Sequence, residues 1–226
     1  MGSEGVQSTR IYITGFKKFH GVFENPTEVI VSRLKDFMKG HELPSGATLG
    51  SCTVLETAGE GALNNLLKVL DSAISEEDSG TQPGEKIDGA QRIVWVHFGV
   101  NSGATRFAVE RRAVNEATFR CPDEMGWQPQ RVPIVAEDGP ISTTRQTTLP
   151  VGDIVDYLLL KGFEVALSDD AGRFVCNYVY YHSLCHAAAA HGTQCIFVHV
   201  PLFSRIKEDI QMKFAAALLE IIAACW

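Results

Sequence analysis

Apolar and polar positions switch repeatedly between a two-residue and a 3.6-residue period along this chain. Ile11-Tyr12-Ile13, within residues 10–14, reads as a short buried strand closed by Gly15. From Pro26 to Met38, Val29, Ile30, Leu34 and Phe37 share one helical face, and Pro26 suits a first helical turn. Residues 52–55 form a second strand, after which Leu63, Leu66, Leu67 and Leu70 recur at helical spacing. The unbroken β-branched run from Ile93 to Phe98 predicts a central strand covered on both faces. Val151, Ile154, Val155, Leu158 and Leu159 repeat as one helical stripe, with Pro150 before and Gly162 after. A strand at 163–167, a helix from about 176 to 190, a strand at 194–200 and a helix from about Ser204 complete the pattern. Ile206, Ile210, Phe214, Leu218 and Ile221 supply the last helix with its apolar stripe.

Three stretches break the alternation. Residues 1–9 are a polar tail, and residues 75–91 are polar and turn-rich, as a solvated loop would be. Residues 107–119 alternate loosely and 121–140 are rich in proline, glycine and acids, which predicts an excursion of hairpins and loops over the site. No internal repeat is visible. Helix–strand alternation over one such length predicts a single α/β domain spanning 1–226: a three-layer α/β/α sandwich around a twisted, mixed, mostly parallel sheet.

Composition narrows the function classes. Hydrophobic residues make up 45% and charged residues 21%, an ordinary balance for a soluble globular chain. The formal net charge of −7 argues against a nucleic-acid binder, since the densest basic spot is only Arg111-Arg112. No stretch approaches the roughly 20 apolar residues that span a bilayer, so no membrane partner is expected. Six cysteines without a dense framework, and no apolar leader segment, point to free thiols in a reducing cytoplasm. Exposed apolar faces leave a homo-oligomer open.

Within that frame one cysteine stands out. Cys176 lies in Gly172-Arg173-Phe174-Val175-Cys176-Asn177, where a polar turn runs into a helix. Unpaired N–H groups and the helix dipole at such a terminus favour an anion, so the position suits a nucleophilic thiolate; the alternative is a small buried hydrophobe. His199 closes the following strand. If the strands ending near Leu167 and at Val200 are neighbours, thiol and imidazole meet; otherwise His199 is a satisfied strand-end histidine. A carboxylate would fix the imidazole tautomer, but 27 acidic residues compete for the role. Glu110 is one candidate, and a surface partner of Arg111 or Arg112 is the other reading of it. His182 and His186 share a predicted helix with Cys185 at an i, i+4 spacing that can bind zinc, yet the thiol spacing matches no usual finger and a partly buried helix face is the better reading; Asp169-Asp170 reads as a solvated turn.

Four blocks, in order, carry a resemblance. Gly15-Phe16-Lys17-Lys18-Phe19 leading to Asn25-Pro26-Thr27 resembles Gly-Phe-x-Pro-Phe … Asn-Pro-Ser. Glu110-Arg111-Arg112-Ala113-Val114-Asn115 resembles Glu-Arg-x-Ala-x-Asn, Ala171 to Asn177 resembles Ala-Gly-x-x-x-Cys-Asn, and Phe197-Val198-His199-Val200-Pro201 resembles a His-hydrophobic-Pro block. These are the motifs of the pyroglutamyl peptidase I (pyrrolidone carboxyl peptidase) family of cytosolic cysteine exopeptidases, and the similarity runs from about Ile11 into the last helix.

The resemblance implies a Cys176–His199–Glu110 triad: nucleophile, base then acid, and orienter. It implies peptides with an N-terminal pyroglutamyl residue as substrates, hydrolysis of the amide that follows through a thioester, and no metal or organic cofactor. Phe16, Phe19 and Phe174 would wall a slot for the neutral lactam, with backbone groups at Val100 beside it, the Cys176 amide as oxyanion donor and Arg120 near the site. Asn25 would brace the loop. Lys18 replaces the family's proline, which predicts a less rigid first loop, and residues 101–106 depart from the Gly-Gly-Arg pattern of bacterial relatives. Two other readings compete: a pyroglutamyl-binding protein without turnover, and a nucleoside-phosphorylase-like enzyme of similar architecture.

Overall fold

The computed structural model describes residues 8–78 and 92–225. The element order is β1 (Thr9–Phe16), α1 (Pro26–Met38), β2 (Ala47–Leu55), α2 (Leu63–Asp78), β3 (Arg92–Val100), β4 (Phe107–Glu110), β5 (Arg112–Val114), β6 (Thr144–Gln146), α3 (Val151–Leu160), β7 (Val165–Ser168), α4 (Val175–Ala189), β8 (Thr193–Val200) and α5 (Glu208–Cys225). Six strands form one sheet in the order β2-β1-β3-β8-β4-β7, and β5 pairs with β6 in a separate ribbon. β1, β2, β3 and β8 run parallel, β4 lies antiparallel to β8, and β7 is parallel to β4. The sheet is mixed and mostly parallel, as the alternation predicted.

Two apolar cores sandwich it. One face packs Ile11, Ile13, Val94, Val96 and Val198 against residues of α1, α3 and α5. The other packs Tyr12, Phe16, Trp95 and Phe197 against α2 and α4. Strand alternation separates the two sets, so β1, β3 and β8 are buried on both sides. β1 meets α1 so closely that a Cβ on Gly15 would stand 2.6 Å from the Thr27 carbonyl oxygen. Asn25 caps α1 by accepting the Thr27 N–H, while its Nδ2 donates to the Lys17 carbonyl at 2.9 Å. It does brace the loop.

Several boundaries differ from expectation. β2 is longer than residues 52–55, and Thr9 belongs to β1 rather than to the tail, whose residues 1–7 lie outside the described residues. The stretch expected as a loop from 75 begins inside α2, which runs to Asp78; positions 79–91 lie outside the described residues. α5 starts at Glu208, not near Ser204, and its buried stripe is shifted: Met212, Phe214, Leu218, Leu219 and Ile222 are buried while Ile210 is 39% exposed. Helical spacing alone leaves that one-residue rotation open.

His97, in the middle of β3, is wholly buried and pairs through Nδ1 with Thr14 Oγ1 at 2.7 Å. Burial pulls its pKa down to about 3. Between pH 6.5 and that value the unfolded chain takes up a proton that the folded chain refuses, so stability must fall as pH drops through this window. At pH 5 the cost is on the order of 2 kcal/mol. Urea denaturation at pH 7 and pH 5 is expected to show a smaller acid loss for His97→Gln than for the parent protein. An unchanged difference between the two pH values would contradict this.

Candidate functional site

The site forms where β3 and β8 end and α4 begins. Register pairs Gly99 of β3 with His199 of β8, so both positions face the same side of the sheet. Glycine is needed there: a Cβ on residue 99 would lie 2.8 Å from the Cys176 Sγ and 2.6 Å from the Phe197 ring. The missing side chain is the room that the sulfur occupies, and Cys176 and His199 face the same cavity, near enough for the cysteine to raise the imidazole pKa. On its other side the ring's Nδ1 lies 2.7 Å from Glu110 Oε1, leaving Nε2 for the sulfur.

The contact arises differently from the sequence expectation. The strands ending at Ser168 and Val200 are not neighbours, because β4 lies between them. β4 runs antiparallel to β8 and pairs Glu110 with Phe197, one diagonal step from His199 on the same face. Glu110 is therefore an inward-facing residue, 1% exposed, and not a surface partner of its neighbours. Arg111 and Arg112 turn to Asp169 instead, Arg111 with two hydrogen bonds of 2.7 and 2.5 Å. Tyr180 OH donates to the Glu110 carbonyl at 2.9 Å and pins the strand.

Cys176 reaches the pair from the sheet edge through residues 169–174. Gly172 takes a left-handed φ of 79° there, which a side chain would resist. Asp170 accepts both the Gly172 N–H and the Arg173 guanidinium. The cap position of α4 is Phe174, whose side chain has no oxygen to cap with, and the first amide to find a carbonyl is that of Tyr178, donating to the Phe174 carbonyl at 3.2 Å. The amides of residues 175–177 are thus left to the cavity or to a ligand. Burial lowers the His199 pKa, but the Cys176 thiolate and the Glu110 carboxylate raise it by more, to about 10.

A cavity of about 330 Å³ opens beside the sulfur. Phe16, Phe19, Phe174, Val100 and Arg120 all line it, together with Cys176 and His199; Glu110 stands behind the imidazole. Phe16 is buried against Phe197, and Phe174 packs on Phe119 with ring centres 4.6 Å apart. The first loop is tied down despite Lys18. Its backbone N–H, which a proline would lack, donates to Glu28 at 3.1 Å, and Phe19 and Val22 exchange two backbone hydrogen bonds.

Sequence reasoning missed several residues that line or brace the cavity. Thr57, Asn101, Ser102, Thr118 and Arg173 also line the cavity. Asn177 accepts the Val114 N–H and donates to the carbonyls of Val114 and Glu116, which locks the start of α4 to the excursion. Asn115 fixes the later turn through Val135 and Gly139, and the Asp123 carboxylate accepts the amides of Gly59, Met125 and Trp127. Both asparagines stand in the motif blocks; their position was visible, their task was not. His182, Cys185 and His186 have separate surroundings: His182 packs on Tyr178, Cys185 lies 3.8 Å from Asp138, and His186 lies 3.8 Å from Asp71.

The pyroglutamyl peptidase family model matches residues 9–224. The chain belongs to that family. It is similar to the pyrrolidone-carboxylate peptidase of Pseudomonas fluorescens, 32% identical over 84% of this chain and 78% of the relative. The enzyme of that name from Escherichia fergusonii is 31% identical over 84% and 77%. Among solved structures, pyroglutamyl peptidase I of Bacillus amyloliquefaciens superposes with a TM-score of 0.76 at 26% identity, covering 95% of this chain and 97% of that one. A pyrrolidone carboxyl peptidase variant from Pyrococcus furiosus gives 0.72 at 28%, with 95% and 97% covered. These relatives favour neither the binding-only nor the phosphorylase-like reading.

The tight fit at residue 99 generates a test. Gly99→Ala is expected to displace the sulfur from the imidazole and to slow iodoacetamide modification of Cys176, read by mass spectrometry on folded protein. Cys52 and Cys185, whose pKa values burial raises to about 11, serve as slow internal standards. Unchanged modification of Cys176 in the folded variant would mean that the gap is not what seats the thiol.

Proposed function

We propose that this protein removes an N-terminal pyroglutamyl residue from peptides, with Cys176 as nucleophile, His199 as base and acid, and Glu110 as the group that orients and charges the imidazole. The observation that carries this is a cysteine at an uncapped helix start, beside a histidine in the same cavity whose Nδ1 meets a buried glutamate.

The chemistry follows from the charges. The thiolate of Cys176 attacks the carbonyl carbon of the pyroglutamyl residue, and the negative charge passes to its oxygen. The backbone amides at the start of α4, that of Cys176 foremost, are placed to stabilise that oxygen. His199, protonated and held so by Glu110, gives its proton to the departing amine nitrogen as the C–N bond breaks. A thioester remains. The now neutral imidazole takes a proton from water, whose oxygen attacks the thioester carbonyl. Collapse releases pyroglutamate and restores the thiolate beside a protonated His199.

The lactam ring is neutral, so no ion pair can recognise it. Phe16, Phe19 and Phe174 offer apolar walls, while backbone groups at Val100 can meet the ring's amide. A buried amide left without a partner costs about 1–3 kcal/mol, which discriminates against rings that lack the matching groups. Six free thiols agree with a reducing cytoplasm as its place of action, and no described helix is long and apolar enough to cross a membrane.

The direct test is fluorophore release from a pyroglutamyl-coumarin amide. Cys176→Ala, shown to be folded, is expected to lose at least about a thousandfold in kcat/KM, and His199→Ala nearly as much. Glu110→Gln keeps an acceptor for Nδ1 but removes the charge, so its loss is expected to be smaller, about ten- to a hundredfold. Normal turnover by Cys176→Ala would end the proposal.

A pH profile tests the electrostatics separately. A raised imidazole pKa keeps the ring protonated up to about pH 10, and with it the proton for the leaving group; the ring's contribution to stability is full only below 6.5 and shrinks steadily as pH rises from there to about 10. Above that pH both are lost. The alkaline limb of kcat/KM is expected near pH 10 in the parent enzyme and lower in Glu110→Gln. Coincident limbs would mean that Glu110 does not hold the proton on His199.

A further inference from the structure

Beside the cavity lies a shallower groove of about 410 Å³, lined among others by Arg112, Glu116, Arg131, Ser142, Thr144 and Arg173. Arg173 lines both spaces, so the groove and the cavity meet at this side chain. A second link is Thr118, a cavity-wall residue whose Oγ1 accepts the Arg131 backbone N–H at 3.1 Å. This shared rim is a route by which a peptide with its first residue in the cavity can run on into the groove.

The groove is cationic in a chain of net charge −7. Arg173 is engaged by Glu116 and Asp170, and the other Glu116 oxygen accepts the Thr118 hydroxyl. Arg112 donates to the Asp169 carbonyl and stands 3.9 Å from a carboxylate that Arg111 already holds. Arg131 differs from both. It is exposed, and its guanidinium meets no acceptor among the described residues. Arg131 is also the one non-glycine residue among them at positive φ, 54°. The bond to Thr118 and the bridge between Ala117 and Val132 hold it in that disfavoured backbone state. With its backbone held beside the cavity, an uncommitted guanidinium offers a planar pair of donors suited to a carboxylate.

We propose that this groove binds a carboxylate on the part of the substrate that follows the scissile bond, with Arg131 as its anchor. The enzyme would then prefer pyroglutamyl peptides with a negative charge shortly after the first residue, either the free C-terminus of a short peptide or an acidic side chain. The inference rests on the pyroglutamyl-peptidase reading of the cavity.

The experiment compares kcat/KM at low ionic strength for pyroglutamyl-Ala-Ala against its C-terminal amide, and for pyroglutamyl-Ala-Asp-amide against pyroglutamyl-Ala-Asn-amide. The acidic member of at least one pair is expected to lead by about threefold or more, and the pair that shows it identifies which carboxylate is read. Arg131→Gln is expected to erase the lead while leaving release from pyroglutamyl-coumarin amide, which has no such carboxylate, unchanged. Equal rates within both pairs, or a lead that survives Arg131→Gln, overturns the inference while coumarin release upholds the cavity reading. No coumarin release by the parent enzyme overturns that reading, and this inference with it.

Discussion

A glutamate as buried as Glu110 cannot carry its charge without an opposite one against it. Its Oε1 lies 2.7 Å from His199 Nδ1, and its Oε2 meets no donor among the described residues, so the imidazole is its only ionic partner among them. Removing one member of a buried pair of this kind costs about 3–5 kcal/mol, because the survivor is left desolvated. The pair also dictates topology. Glu110 reaches the His199 face because β4 is inserted beside β8 in the reverse direction. That insertion pushes β7 to the sheet edge, so the sulfur arrives not from an adjacent strand but along a loop that folds back over the sheet. The bidentate Arg111–Asp169 contact and the Arg173–Asp170 pair sit where this return is made.

Apolar packing holds the sheet and its helices, but the excursion after β4 is held by other means. It has little regular ladder, and three buried polar side chains, Asn115, Asp123 and Asn177, satisfy its backbone groups in place of strand partners. Asn177 follows Cys176 directly. The residue that anchors the excursion and the proposed nucleophile therefore share one turn of helix, and a shift in one is felt by the other. Buried polar networks that are fully paired fix a geometry more sharply than apolar contacts, which tolerate sliding.

Hydrophobic periodicity marked nearly every layer of the fold, because the central strands bury apolar residues on both faces and each helix buries one apolar face. α1 and α3 were legible almost to the residue, since Pro26 and Pro150 mark their starts. The rotation of α5 was not legible: Ile206, Ile210, Phe214, Leu218 and Ile221 repeat well enough, but alanines at 215–217 are small enough to pack against the sheet and turn the helix by about one position. Strand order was hidden for a different reason. Nothing in Phe107 to Glu110 says which way a four-residue strand runs or between which neighbours, as that depends on contacts remote in sequence. Cys176 and His199 stood out from local context, as a helix-start cysteine and a strand-end histidine; the choice of Glu110 and of the three phenylalanines came from motif resemblance. Thr57, Thr118 and Asn101 were not found, because a polar residue that lines a cavity looks in sequence like any other loop residue.

Charge recognition and lactam recognition pull a site in opposite directions, and the proposed reading of this one separates them in space. A neutral ring is best held by aromatic walls and a few aligned backbone groups, and a free cation within those walls would bind water or anions in its place. The arginines accordingly stand at the rim: Arg120 is exposed, and Arg173 is tied to Glu116 and Asp170. Deeper in, His199 lies between Cys176 and Glu110, and both draw its pKa upward. This is why an acidic chain can keep a basic exit. Local field, not net charge, decides what a substrate meets once its first residue is seated.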